Sequence, residues 1–158
     1  MSGLGGLLRR ITALPEFNIY IFAVLLNFVW EMLQMPLFDV PPADSHYWNV
    51  VLMCGFATLA DGVIMLIAYW TASGFARSRQ LFVASQRKFV LIFLATGLVI
   101  TCVIELIATT QGIWRYSDLM PQAFGIGLSP FLQWVFPPLI ALWFTRRQLA
   151  AAAALVSR

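Results

Sequence analysis

Charge is what this chain has least of. Only 11% of its 158 residues are charged and 61% are hydrophobic, whereas a soluble domain carries about 25% charged residues. That deficit excludes an ordinary soluble domain and implies an integral membrane protein. Cysteine is also scarce. Cys54 and Cys102 both lie inside apolar runs, which excludes a disulfide framework or a CxxC site and leaves small packing residues. The one histidine, His46, lies in a polar loop. No buried imidazole is available to ligate a haem, so neither a cofactor nor a metal is expected. The alternating pattern of a membrane barrel is missing, as is any low-complexity stretch. The first residues do not read as a signal peptide, because their short apolar run precedes Arg9 and Arg10 and no small-residue cleavage site follows. The net charge of +3 does not point to nucleic acid, since the basic residues flank apolar runs, where they set topology.

What the chain has is four apolar runs, at about 17–38, 48–70, 89–110 and 124–145. Each is near the ~20 residues needed to cross a bilayer as a helix. The fold expected is all-α: a polytopic membrane protein, one four-helix transmembrane bundle over residues 1–158. Arg9, Arg10, Arg77, Arg79, Arg87, Lys88, Arg146, Arg147 and Arg158 flank one side of the spans, and of the ten basic residues only Arg115 falls on the other. The basic side should be the cytoplasm, with both termini on it. Residues 71–88 read as a cytoplasmic connector with an interfacial helix near 79–89. The tail after Arg147 reads as a short helical extension.

Each span carries one polar stripe. Asn27, Glu31 and Gln34 share a face of the first, with Pro36 bending or ending it. Cys54, Thr58 and Asp61 share a face of the second, beside Gly55 and Gly62. Gly97, Thr101, Glu105 and Thr109 step by four along the third, and Gly125, Ser129, Gln133 and Pro137 along the fourth. Four stripes predict a polar interior and a lipid-facing exterior.

Three of the seven acids, Glu31, Asp61 and Glu105, lie within spans, and no Lys or Arg lies deep enough to pair with them. A lone carboxylate there costs about 2.5–3.5 kcal/mol on insertion scales, and intramembrane acids are functional by default. At about 1.5 Å per residue, Glu31, Glu105 and Gln133 come within roughly 8–14 Å of the non-cytoplasmic surface, with Asp61 deeper at roughly 20 Å. Glu31, Gln34, Glu105 and Gln133 can then share one layer, with the Trp114/Tyr116 loop as its lid. A carboxyl group that keeps its proton in low dielectric suits general acid catalysis. Glu105 and Glu31 are the candidate acid and base, and Asp61 tunes them. Asn27, Gln34 and Gln133 position them without adding charge, and Trp30, Trp114, Tyr116 and Trp134 offer π-faces to a carbocation. The same groups could instead hold the bundle together by interhelical bonds worth about 0.6–2 kcal/mol each.

The run Glu105-x-x-Ala108-x-x-x-Gly112-x-Trp114-x-Tyr116, followed by Pro130-x-x-Gln133-x-x-Phe136, resembles the small integral-membrane lycopene cyclase domain of bacteria, archaea and fungi. The resemblance covers 105–136 and implies an isomerase of carotenoid biosynthesis, cyclising chain ends by gain and loss of a proton without net redox change. It departs from the family in carrying Leu132 and Gln133 where the family has a glutamate pair, and Glu105 where an Asp is expected. Glu31 or Asp61 could supply the lost acid, which the resemblance itself does not imply. The whole chain also resembles small bacterial four-helix membrane proteins with a Trp-Glu-x-x-Gln-x-Pro segment, here Trp30 to Pro36, which implies a bacterial inner membrane.

Three functions stay open at this point. The first is an intramembrane acid–base enzyme (cyclase, isomerase or hydratase) on an isoprenoid-like lipid. The second is a proton-coupled carrier or relay subunit. The third is an assembly protein whose polar stripe binds another helix. The partners expected are the bilayer, an apolar small molecule and either a second copy or another membrane protein, with no nucleic acid.

Overall fold

The computed structural model describes residues 3, 6, 10–39, 46–77 and 87–156. Four helices in it are long and apolar enough to cross a membrane. The first, α1, spans Pro15–Gln34, and a 3-10 turn at Met35–Leu37 follows. Pro36 lacks the N–H an α-helix would need there, so the helix ends where the sequence says it should. Tyr47–Ala76 forms α2, and Arg87–Thr110 forms α3.

One boundary here differs from expectation. The second helix runs on through 71–76, which had read as connector. It stops at Arg77, whose left-handed backbone (φ 50°) lets its N–H reach back to the Gly74 carbonyl at 3.2 Å. The interfacial helix expected near 79–89 falls mostly outside the described residues.

The fourth span is broken. Its expected start, 124–127, is a hairpin between strands Gln122–Ala123 and Ile126–Gly127. Both turn residues have positive φ, Phe124 (55°) and Gly125 (79°), the geometry that matches strand twist in a tight hairpin. A short α4, Leu128–Gln133, follows. The chain then tightens, with Trp134 N–H bonding Phe131 O and Val135 N–H bonding Leu132 O. It restarts as α5, Phe136–Val156. Pro137 and Pro138 have no N–H to continue the ladder from Gln133 and Trp134. The expected helical tail is the end of α5.

Neighbouring long helices run antiparallel. Phe22 stacks on Phe144 and Trp30 on Phe136 between α1 and α5. Tyr69 meets Phe89 between α2 and α3. Gly62 brings α2 against Tyr20 and Val24 of α1, where a Cβ would crowd both. The order of packing is α3–α2–α1–α5, with α4 set against α3, α1 and α5. Buried Ile19, Ala23, Met65, Ala68, Phe93 and Ala141 form the core toward the basic end. Leu25, Leu33, Phe56, Phe75, Leu91 and Val99 are exposed on the outside. The interior is polar at the opposite end, so the bundle is apolar where a soluble one would be polar.

Candidate functional site

At the loop end, the stripes of α1, α2 and α4 meet on one amide. Gln133 Nε2 lies 2.8 Å from Asp61 Oδ2, 2.9 Å from Glu31 Oε1 and 3.0 Å from Asn27 Oδ1. An amide nitrogen carries two hydrogens, so these three acceptors compete for it. The Glu31 and Asp61 carboxyls therefore meet at a single amide nitrogen. Asp61, expected a layer deeper, is thus in direct contact with the Glu31 and Gln133 layer. The end of the longer Gln133 side chain makes that contact.

A second set of bonds fixes which way Gln133 points. Gln34 Nε2 donates to Gln133 Oε1 (3.3 Å) and to Glu31 Oε1 (2.9 Å). Gln34 Oε1 in turn accepts from Ser129 Oγ (2.8 Å) and Trp30 Nε1 (3.2 Å). With its own oxygen so occupied, Gln34 must present its NH₂ group to Gln133, and Gln133 must present its NH₂ group to the acids. Gln34, Asn27 and Gln133 are buried, and Trp30, Glu31 and Asp61 are partly so.

Glu105 forms a separate centre on α3. It is buried, and its Oε2 accepts from Trp114 Nε1 (3.3 Å) and from the Tyr116 hydroxyl. Its hydrogen bonds run to the loop. Burial, and then the bond to Glu105, push the Tyr116 phenol above its ordinary range, so Tyr116 stays a donor to Glu105 at neutral pH.

Tyr116 is held by a strap between the two loops. Phe38–Asp39 pairs antiparallel with Arg115–Tyr116, Phe38 facing Tyr116 with ring centroids 5.6 Å apart. Ser117 adds bonds from its N–H to Leu37 O and from its Oγ to Pro36 O, both 3.0 Å. Gly127 has no side chain because Tyr116 passes there; a Cβ would sit 3.0 Å from its Cε1.

Of the residues singled out from sequence, Trp134 is the one that joins neither centre. Its ring is buried in the core and lies directly on Gly97 of α3, where a Cβ would overlap it. Ser129, which the stripe of the fourth span had marked as polar without a role, proves to orient Gln34. The strap left only a faint signal, two short aromatic segments far apart in sequence. Among the described residues no group of His, Cys, Asp and Glu is arranged to hold a metal ion. No protein-family model, curated protein or solved structure matches the chain at significant similarity.

Proposed function

We propose that this is a membrane-embedded acid–base enzyme acting on an isoprenoid-like lipid, isomerising or cyclising it by adding one proton and removing another. The observation that carries the proposal is the convergence of Asp61 and Glu31 on Gln133 Nε2, at 2.8 and 2.9 Å. Gln133 occupies the place where the lycopene cyclase pattern has an acid. Two acids from other spans reach that amide in this chain, which supports reading them as the carboxyls that the pattern would need there.

In this reading Glu105, held by Tyr116 and Trp114, and the Glu31–Asp61 pair are the two proton-transfer groups. Gln133, Gln34 and Asn27 are positioning residues. Trp30 and Trp114 present ring faces to a developing carbocation. The chain sits in a bacterial inner membrane with both termini cytoplasmic, and its substrate enters from the bilayer.

A lipid profile tests this. Cells carrying the wild-type protein should convert one isoprenoid or carotenoid into a product of equal mass, and Glu31→Gln and Glu105→Gln cells should not. Positioned acid–base groups contribute about 10²–10⁴-fold, so each variant should lose at least about 100-fold in rate. Identical profiles with and without the protein would count against the proposal.

The proton relay is a second reading, favoured by one observation. The span carrying Gln133 is broken just after it, and irregular backbone at membrane depth is tolerated where it is buried or lines a polar path. Proton flux in liposomes that depends on Glu31 and Glu105 would favour the relay over the enzyme.

A further inference from the structure

Two buried hydroxyls beside the acids have no explanation in the bonds described so far. Thr58 on α2 is 1% exposed, and the hydroxyls of Thr58 and of Thr101 on α3 are both buried with no hydrogen-bond partner. Threonine in a helix normally bonds the carbonyl four residues back. Thr71, Thr109 and Thr110 of the same two helices do so, at 2.8, 2.7 and 2.6 Å. Thr58 and Thr101 do not.

The two are level with each other. Tyr69 of α2 faces Phe89 of α3, and the helices are antiparallel. Counting 11 residues back from Tyr69 and 12 on from Phe89 reaches Thr58 and Thr101 after nearly the same rise, at about 1.5 Å per residue. Thr58 lies one turn from Asp61, and Thr101 one turn from Glu105. A buried hydroxyl left unsatisfied costs about 1–3 kcal/mol, and a buried water with two to four polar partners is the usual remedy.

We propose that the Thr58 and Thr101 hydroxyls hold a water molecule that links Glu105 to the Glu31–Asp61 pair, making the three carboxyls one proton path. The proposal rests on reading these carboxyls as proton-handling groups. The other titratable groups near the layer are Cys54 of α2, one turn from Thr58, Cys102 of α3, next to Thr101, and Tyr116, bonded to Glu105; α4 contributes none. With the water in place, a proton passes from Glu105 through it to the pair and the water is regenerated, so atoms and charge balance along the path.

Hydrogen–deuterium exchange of the carboxyl protons, followed by infrared spectroscopy on the full chain in lipid, tests the link. The Glu31–Asp61 band is identified by its loss in Glu31→Gln and Asp61→Asn. Thr58→Val and Thr101→Val should each slow exchange at that band by about tenfold or more, as should Glu105→Gln. Combining Thr58→Val with Glu105→Gln should add little, because both interrupt one path. Thr58→Ser and Thr101→Ser should restore the wild-type rate. Loosened packing alone would accelerate exchange, so the direction separates the two effects. Unchanged or faster exchange in both valine variants would overturn the proposal. The measurement uses no substrate: a slowed exchange with unchanged cellular lipids would remove the enzyme and leave the path standing.

Discussion

At the residue scale, the site depends on the direction of one amide. Gln133 is the only side chain that touches α1 and α2 at once through three acceptors among the described residues, and its orientation is inherited from Gln34 and Ser129. Gln133→Leu should therefore cost about 1–3 kcal/mol, the penalty for buried polar groups losing a partner. It should lower the thermal midpoint in detergent more than Ser129→Ala does, since Ser129 acts only through Gln34. Equal losses in a melting experiment would mean that the amide network is not centred on Gln133.

Tyr116 gives a second test at this scale. Its phenol is raised by burial and by Glu105, so its folded value lies above its unfolded one, near ~10. Its contribution to stability is then fully present below the unfolded value and is lost as pH climbs through the folded one. In an alkaline absorbance titration, Tyr116→Phe should reduce the ionisation step that accompanies unfolding by one tyrosine. An unfolding-linked step of unchanged amplitude in Tyr116→Phe would contradict this.

At the element scale, the informative feature is the fracture of the last span into α4 and α5. It sets Gln133 at a helix end and lays the Trp134 ring on Gly97. Alanine in place of a helical glycine ordinarily gains about 1 kcal/mol. Here the added methyl would strike a buried, rigid ring, and overpacking costs about 1–3 kcal/mol. Gly97→Ala should thus lower the thermal midpoint, and Trp134→Leu should relieve part of that loss in the double variant. A Gly97→Ala protein more stable than wild type would show that α4 is not wedged against α3.

The same fracture marks where reading the sequence stopped. The stripes of Asn27, Glu31 and Gln34, of Thr58 and Asp61, and of Thr101 and Glu105 follow from helical period alone, and the structure keeps each on one buried or partly buried face. The end of α1 at Pro36 was equally legible. Pro137 and Pro138 signalled a break, but hydropathy runs through them unchanged and masks it. The 122–127 hairpin needed two residues at positive φ, one of them Phe124, which no propensity suggests. Tyr116 could be placed in a loop, but its bond to Glu105 depends on the strap to Phe38, a pairing across 78 residues that local pattern does not encode.

At the scale of the whole molecule, four helices are long and apolar enough to cross a membrane, and the exposed side chains fit that reading. Exposed Tyr47 and Trp48 mark the loop end of α2, and exposed Trp70 its other end. The 22 residues between Trp48 and Trp70 rise about 33 Å, close to the ~30 Å of bilayer hydrocarbon. Cysteines introduced at Leu119 and at Arg147 should accordingly react with an impermeant thiol reagent from opposite sides of intact vesicles of the membrane that holds the protein. Labelling of both from one side would refute the four-span topology.

The central claim of the proposed function is that Glu31, Asp61 and Glu105 exchange a proton with a lipid carbon. The full-length protein, reconstituted with total isoprenoid lipids in heavy water, measures this directly by mass spectrometry of the extracted lipids. The expected result is deuterium bonded to carbon in at least one isoprenoid, with uptake falling to background in Glu31→Gln and Glu105→Gln. Uptake that is at background in the wild type, or equal in all three proteins, would contradict it.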